Sequence, residues 1–210
     1  MIVGGVTPHD LVYLKDHDTV LDDNYRRLLR SPVLLLLVDA SWLTSEIKSV
    51  AGLPMVRYDA ALANTLQLLQ RFLAAERDKR QRHMFPLFIL TKFDRISPEA
   101  VDILHIPPAP PPTWEPWARA QVGQRLLQTY LPETARCLGQ HNHGTVTVES
   151  PAWFFSGLRT QEDASHELRI LRRERIPVGG WEPEYPFEEY RALIDQLKEL
   201  ADRLPSEAHD

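Results

Sequence analysis

Behind the apolar run Phe-Pro-Leu-Phe-Ile-Leu at 85–90 stands Thr91-Lys92-Phe93-Asp94, a hydroxyl, an ammonium and a carboxylate within four residues. A carboxylate fork can satisfy two adjacent N–H donors on the edge of a ring, a charge-assisted arrangement that ranks among the stronger hydrogen bonds. A lysine beside it can lay its aliphatic stem along a flat surface while its charge stays in water. The same residues also read as a charged turn, with Ser97 capping a short helix that begins at Pro98. What the rest of the chain places around them decides between a base-reading loop and a turn.

Other chemistry-bearing groups are sparser. Lys-Asp-His-Asp-Thr at 15–19 and Ser156-Gly157-Leu158 follow two further apolar stretches. Asp18 can hold a magnesium-bound water or simply polarise a strand-end turn. Cys137, His141 and His143 match no common zinc spacing, and no fourth ligand accompanies them. Gly-x-Ser-x-Gly is absent and none of the eight histidines sits in a motif that marks a general base. The arginines of His166–Arg175 can hold a phosphate, a nucleic-acid backbone or an acidic partner, but Glu167 and Glu174 among them favour a solvated helix face. Trp181 and Tyr185, among glycines and prolines, read as a partner-binding loop or a lid packed on a sheet edge.

These groups need elements to carry them. Val-Leu-Leu-Leu-Leu-Val at 33–38, closed by Asp39, reads as a strand buried on both faces of a parallel sheet. Residues 11–14, 84–90 and 144–158 supply further strands, the first preceded by a shorter apolar stretch at the amino terminus. Between them lie a short helix at 22–30 and a long one from about residue 57, whose Leu62, Leu66, Leu69 and Leu73 form one apolar face. A helix from about Trp117 to Leu138 is interrupted or ended near Pro132, and a final helix places Phe187, Tyr190, Leu193, Ile194, Leu197 and Leu200 on one side. Prolines at about 106–116 exclude regular structure and mark a surface insertion or an extended left-handed recognition segment. Alternating strands and helices predict an α/β domain with a mainly parallel sheet. Its ligand crevice would lie beyond the carboxyl ends of the strands.

Composition narrows the partners. With 210 residues, 43% of them apolar, the chain can build an ordinary core. A net charge of -5 argues against bulk attraction to nucleic acid or anionic lipid. The longest apolar run falls far short of the roughly 18–20 residues of a membrane span, and the start lacks the pattern of a signal peptide. One cysteine fits a reducing compartment, so a cytoplasmic location is expected.

Taken in order, the strand ends resemble those of the P-loop GTPases, and more loosely the bacterial double-GTPase-like families. In the superfamily, strands ending Asp-x-x-Gly, Asn/Thr-Lys-x-Asp and Ser-Ala follow one another with helices between. Over about residues 11–204, Asp18-Thr-Val-Leu21, Thr91-Lys92-Phe93-Asp94 and Ser156-Gly157 take those places. The resemblance implies a single domain over residues 1–210, a three-layer sandwich with a mainly parallel sheet and insertions at about 106–116 and 159–186. It implies guanine recognition in which Asp94 accepts from the ring N1 and N2 hydrogens. Lys92 would cover the base, Thr91 would tie the loop to its neighbours, and the backbone N–H groups of Ser156 and Gly157 would face the guanine oxygen.

The phosphate side departs from the family. No Gly-x-x-x-x-Gly-Lys-Ser/Thr occurs: Gly4-Gly5, Gly52 and Gly179-Gly180 all lack the Lys-Ser/Thr. The family's first strand and phosphate loop would lie ahead of Met1, and Leu21 replaces the glycine of Asp-x-x-Gly. The expected function is therefore a degenerate GTPase-like regulatory or interaction module. It would keep a guanine-reading motif and bind GTP or GDP, with Asp18 as the magnesium residue and a protein partner or a second copy covering the sheet edge. The alternatives are the carboxyl-terminal part of an active GTPase whose phosphate loop is supplied elsewhere, and an unrelated α/β binding domain.

Overall fold

A computed structural model of the chain describes residues 31–43, 54–75, 82–139, 142–143, 146–158, 160–162, 168–170, 172–174, 181–184 and 187–203. The expected strand at 11–14, the helix at 22–30, Asp18, His141 and Tyr185 lie outside these residues. The chain divides into two compact units, one of Met1–Leu34, Ser45–Pro86 and Gly123–Pro151, the other of Leu35–Thr44, Leu87–Val122 and Ala152–Asp210.

The fold is α/β with an open, mostly parallel sheet, consistent with the three-layer arrangement expected. Its strands are β1 (Val33–Asp39), β2 (Arg82–Thr91), β3 (Asn142–His143), β4 (Val146–Val148) and β5 (Ala152–Phe155). The order is β1-β2-β4-β3, with β5 also paired to β2. β4 and β5 run parallel to β2, and β3 runs antiparallel to β4. Pro86 and Pro151, which carry no N–H, stand where the β4 pairing ends and the β5 pairing begins.

In the first unit, helix α1 (Pro54–Ala75) buries Met55, Asp59, Leu62, Ala63, Leu66, Leu69 and Gln70, steps of three and four that keep one face inward. α1 packs on α4 (Pro132–Gly139). Pro132 has no N–H to satisfy, and the next two are taken by the buried Asp59: Oδ2 accepts from Glu133 N at 3.0 Å, and Oδ1 from Thr134 N at 2.9 Å and Thr134 Oγ1 at 2.7 Å. A carboxylate at the positive end of a helix, fully hydrogen-bonded, is the arrangement that makes a buried charge tolerable. Cys137 is buried on α4, its thiol directed at Ala63 O and approached by Gln67 Nε2 at 3.3 Å.

The second unit holds the carboxyl-terminal residues of β1 and β2 together with β5. It also contains α2 (Pro98–Leu104), the start of α3 (Pro116–Tyr130), α5 (Phe187–Arg203) and two hairpins. The hairpins pair β6 (Thr160–Glu162) with β7 (Leu168–Ile170), and β8 (Arg172–Glu174) with β9 (Trp181–Pro183).

Three expectations are corrected. β1 is not buried on both faces: Leu36 and Val38 are buried, but Leu35 and Leu37 are 45% and 57% exposed. A continuous apolar run carries no period, so it cannot record which face is covered. The arginine-rich segment forms β7 and β8 rather than a helix, because antiparallel partners supply the ladder, placing Arg173 opposite Glu182 in register. α5 turns Glu189 and Leu200 inward, with Leu193 and Leu197 partly covered, while Phe187, Tyr190 and Ile194 are exposed. A buried ion pair sets that rotation, as described below.

The long helix begins at Pro54, ahead of its expected start, and the break before Pro132 is where the proline places it. Ser97 caps α2, its Oγ accepting from Ala100 N at 3.1 Å. No described helix is long and apolar enough to cross a membrane.

Candidate functional site

Thr91, Lys92, Asp94, Ser156 and Gly157 come together in the second unit, at the carboxyl ends of the paired strands β2 and β5. Leu90 lies opposite Phe155 in this parallel ladder, so the chain leaves both strands at the same level. The two exit loops are then joined directly. Ser156 N donates to Leu90 O at 2.7 Å and Phe93 N donates to Ser156 O at 2.9 Å. Asp94 Oδ1 accepts from Leu158 N at 2.9 Å.

Gly157 permits this closeness. A Cβ at that position would stand 2.7 Å from Asp94 Oδ1 and 2.9 Å from Asp94 N, inside any contact that real Cβ atoms make. Among the described residues, neither Gly157 N–H nor Asp94 Oδ2 has a hydrogen-bond partner, so the joined loops carry one donor and one acceptor that a ligand could meet. One expectation is narrowed here. The Ser156 N–H is spent on Leu90 O, which leaves Gly157 as the amide of the pair that can donate to a ligand.

Lys92 has a left-handed backbone, φ 52° and ψ 37°. For a residue with a Cβ this costs roughly 1–2 kcal/mol. It lets Phe93, Asp94 and Arg95 wind into a tight 310 turn directly behind the strand. The Lys92 ammonium reaches Asp39 Oδ2, at the end of β1, at 2.6 Å, and Thr91 Oγ1 donates to Val38 O at 3.3 Å. Both contacts join the carboxyl end of β2 to that of β1, so the three strand ends open on one side. Asp39 also caps the 310 turn Ala40–Trp42, its Oδ1 accepting from Ser41 N at 3.0 Å and Ser41 Oγ at 2.6 Å. Burial pushes the Asp39 carboxyl up, but the hydrogen bonds from Lys92 and Ser41 and the lysine's charge outweigh it and hold the pKa below its usual 3.8.

Beneath the loops lies an aromatic cluster that no motif announced. Phe93 meets Phe155 edge-to-face at 5.1 Å and Trp114 at 6.0 Å, and Trp114 meets Phe155 at 4.9 Å. These are the offset geometries that ring quadrupoles prefer. Trp114 thus anchors the proline-rich segment, with its Nε1 donating to Ala109 O at 2.6 Å and a 310 turn at Pro111–Thr113 just ahead of it.

Arg119 lies over the Phe155 ring, its guanidinium carbon 5.8 Å from the centroid, and pairs two-pronged with Glu189. Glu189 is 2% exposed. Its Oε2 also accepts from Phe155 N at 3.1 Å, while the neighbouring Tyr190 hydroxyl meets Ser156 Oγ at 2.6 Å. Sequence reading missed Asp39, Trp114, Arg119, Glu189 and Tyr190 as members of this neighbourhood. Asp39 alone carried a signal, as the polar residue closing an apolar strand.

The arrangement gathers an amide donor, Gly157 N–H, and a carboxylate acceptor, Asp94, on loops at the strand ends. Among the described residues it pairs no nucleophile with a base. Among the described residues, no group of three or more His, Cys, Asp or Glu side chains is placed to hold a metal ion. Comparisons with protein-family models, curated proteins and solved structures found no match to this chain.

Proposed function

We propose that this chain is a GTPase-like domain that retains guanine-base recognition and acts as a regulatory or protein-interaction module. The observation that carries the reading is the joining of the Thr91–Asp94 and Ser156–Leu158 loops at the carboxyl ends of adjacent parallel strands, where α/β sheets place their ligands. Guanine presents O6, the N1 hydrogen and the 2-amino group along one edge. Gly157 N–H matches the first and the Asp94 carboxylate matches the other two. Adenine offers the opposite sense at the first two positions, so the pair discriminates by leaving polar groups unsatisfied. The Lys92 stem can cover the base once its ammonium leaves Asp39.

The sequence has no phosphate loop, so the base contacts stand alone and the expected affinity for GDP is weak, on the order of a millimolar. A module that binds the base weakly and lacks a phosphate clamp suits regulation through a protein partner or a second copy better than turnover. Calorimetric titration with GDP, GTP and ATP, with and without magnesium, tests the reading on the parent chain and on Asp94→Asn. Guanine-selective binding lost in the variant is the expected result. Equal affinity for ATP, or binding indifferent to Asp94→Asn, overturns base recognition. Magnesium-dependent GTP hydrolysis by the chain alone replaces the module with an enzyme.

A further inference from the structure

The donor that faces a base in this reading, Gly157 N–H, belongs to a loop fastened on its β2 side by the Leu90 and Phe93 backbone bonds. Successive N–H groups of a strand point to opposite sides. The Phe155 N–H therefore points away from β2, and no described strand accepts it. It is met instead by Glu189 Oε2, which serves as the ladder partner that β5 lacks. The next residue of α5 repeats the pattern on the next residue of the strand end, Tyr190 OH against Ser156 Oγ. Arg119 holds the Glu189 carboxylate two-pronged and donates to Trp153 O at 3.4 Å and to Pro111 O, so the glutamate enters the interior paired and aimed.

We propose that Glu189 and Tyr190 are positioning residues of the base-recognition loop. On this account the first turn of α5 sets where Gly157 N–H points, and hence how well the site recognises the oxygen at C6 of guanine. The inference rests on the reading of the loops as a guanine site. It makes specificity at one edge position depend on a helix that carries none of the motif residues.

Tyr190→Phe keeps the ring and removes only the hydroxyl, so it tests the role without excavating the core. Two readouts are taken on the full chain. Amide hydrogen exchange of the free protein reports the loop without any ligand, and exchange at Ser156 and Leu158 should rise roughly two- to tenfold, as expected for one lost hydrogen bond. Titration with GDP, its 6-thio analogue and IDP reports the ring edge. The preference for GDP over the 6-thio compound, which depends on Gly157 N–H, should shrink. The preference over IDP, which depends on Asp94 and the 2-amino group, should hold. A purely structural role lowers all three affinities together and leaves both ratios unchanged, which overturns the proposal. Unchanged exchange at Ser156 and Leu158 overturns it as well. If the parent chain ignores guanine nucleotides while exchange still rises in Tyr190→Phe, the guanine reading falls and the anchoring of the loop stands. Glu189→Gln, which keeps an acceptor for Phe155 N while removing the charge opposite Arg119, should raise exchange at Phe155 as a second variant.

Discussion

Lys92 shows how a single position trades stability for placement. Its left-handed backbone is costly for a lysine, and its ammonium, on a side chain 54% exposed, recovers only part of that through Asp39. Lys92→Gly should therefore leave the thermal midpoint nearly unchanged, because glycine adopts φ 52° without strain while the ion pair is lost. Guanine binding should fall severalfold in the same protein, a contrast read by differential scanning calorimetry and titration. The Asp39 carboxyl gives a signed pH effect. Its folded pKa lies below its unfolded value, so its contribution is present above pH ~4 and is lost as the pH falls through the folded value. Asp39→Asn should flatten that part of the stability profile below about pH 4, with an amplitude of about 1 kcal/mol or less for so exposed a partner. At Gly157, alanine should force Asp94 away from the loop, costing roughly 1–3 kcal/mol in chemical denaturation and weakening guanine binding together.

The elements around the site are held by groups that the motif does not contain. The proline-rich segment, expected as a surface insertion or an extended left-handed recognition segment, is anchored by Trp114, 7% exposed, against Phe93 and Phe155. Trp114→Ala should cost about 3–5 kcal/mol in urea unfolding, the usual range for deleting a buried indole. α4 depends on α1 in a comparable way. Asp59→Ala strands the buried Thr134 hydroxyl and leaves two helix N–H groups without acceptors, which should cost roughly 1–3 kcal/mol.

For the whole molecule, the candidate site and the Asp59 cap fall in different units. Every residue of the candidate site belongs to the second unit, and the Asp59 cap belongs to the first. Asp59→Ala should therefore lower stability without changing the GDP:IDP preference. Its stability loss should add to that of Tyr190→Phe within about 0.5 kcal/mol, since the Asp59 hydrogen bonds to Glu133 and Thr134 and the Tyr190 bond to Ser156 lie in different units. Departure from additivity in a double-variant denaturation experiment would mean that the units communicate.

The order of elements was legible because it depends on local chemistry. Apolar runs bounded by turn residues marked β2 and the region of β4 and β5, leucines three and four apart marked α1, and Pro132 marked a helix break. Thr91, Lys92 and Asp94 were legible because a strand end followed by charge is a sequence-local pattern. Sequence misjudged the cover of β1, read as buried on both faces, and the arginine-rich segment, read as a helix face, since both depend on neighbours far along the chain. Only the tertiary structure decided that Ser156 spends its N–H on β2, that Gly157 must lack a side chain and that Glu189 serves as a missing strand. Each of these is a hydrogen bond or a clash between residues roughly sixty, or more than thirty, positions apart. Spacing within a motif cannot encode such a contact, because packing alone creates it.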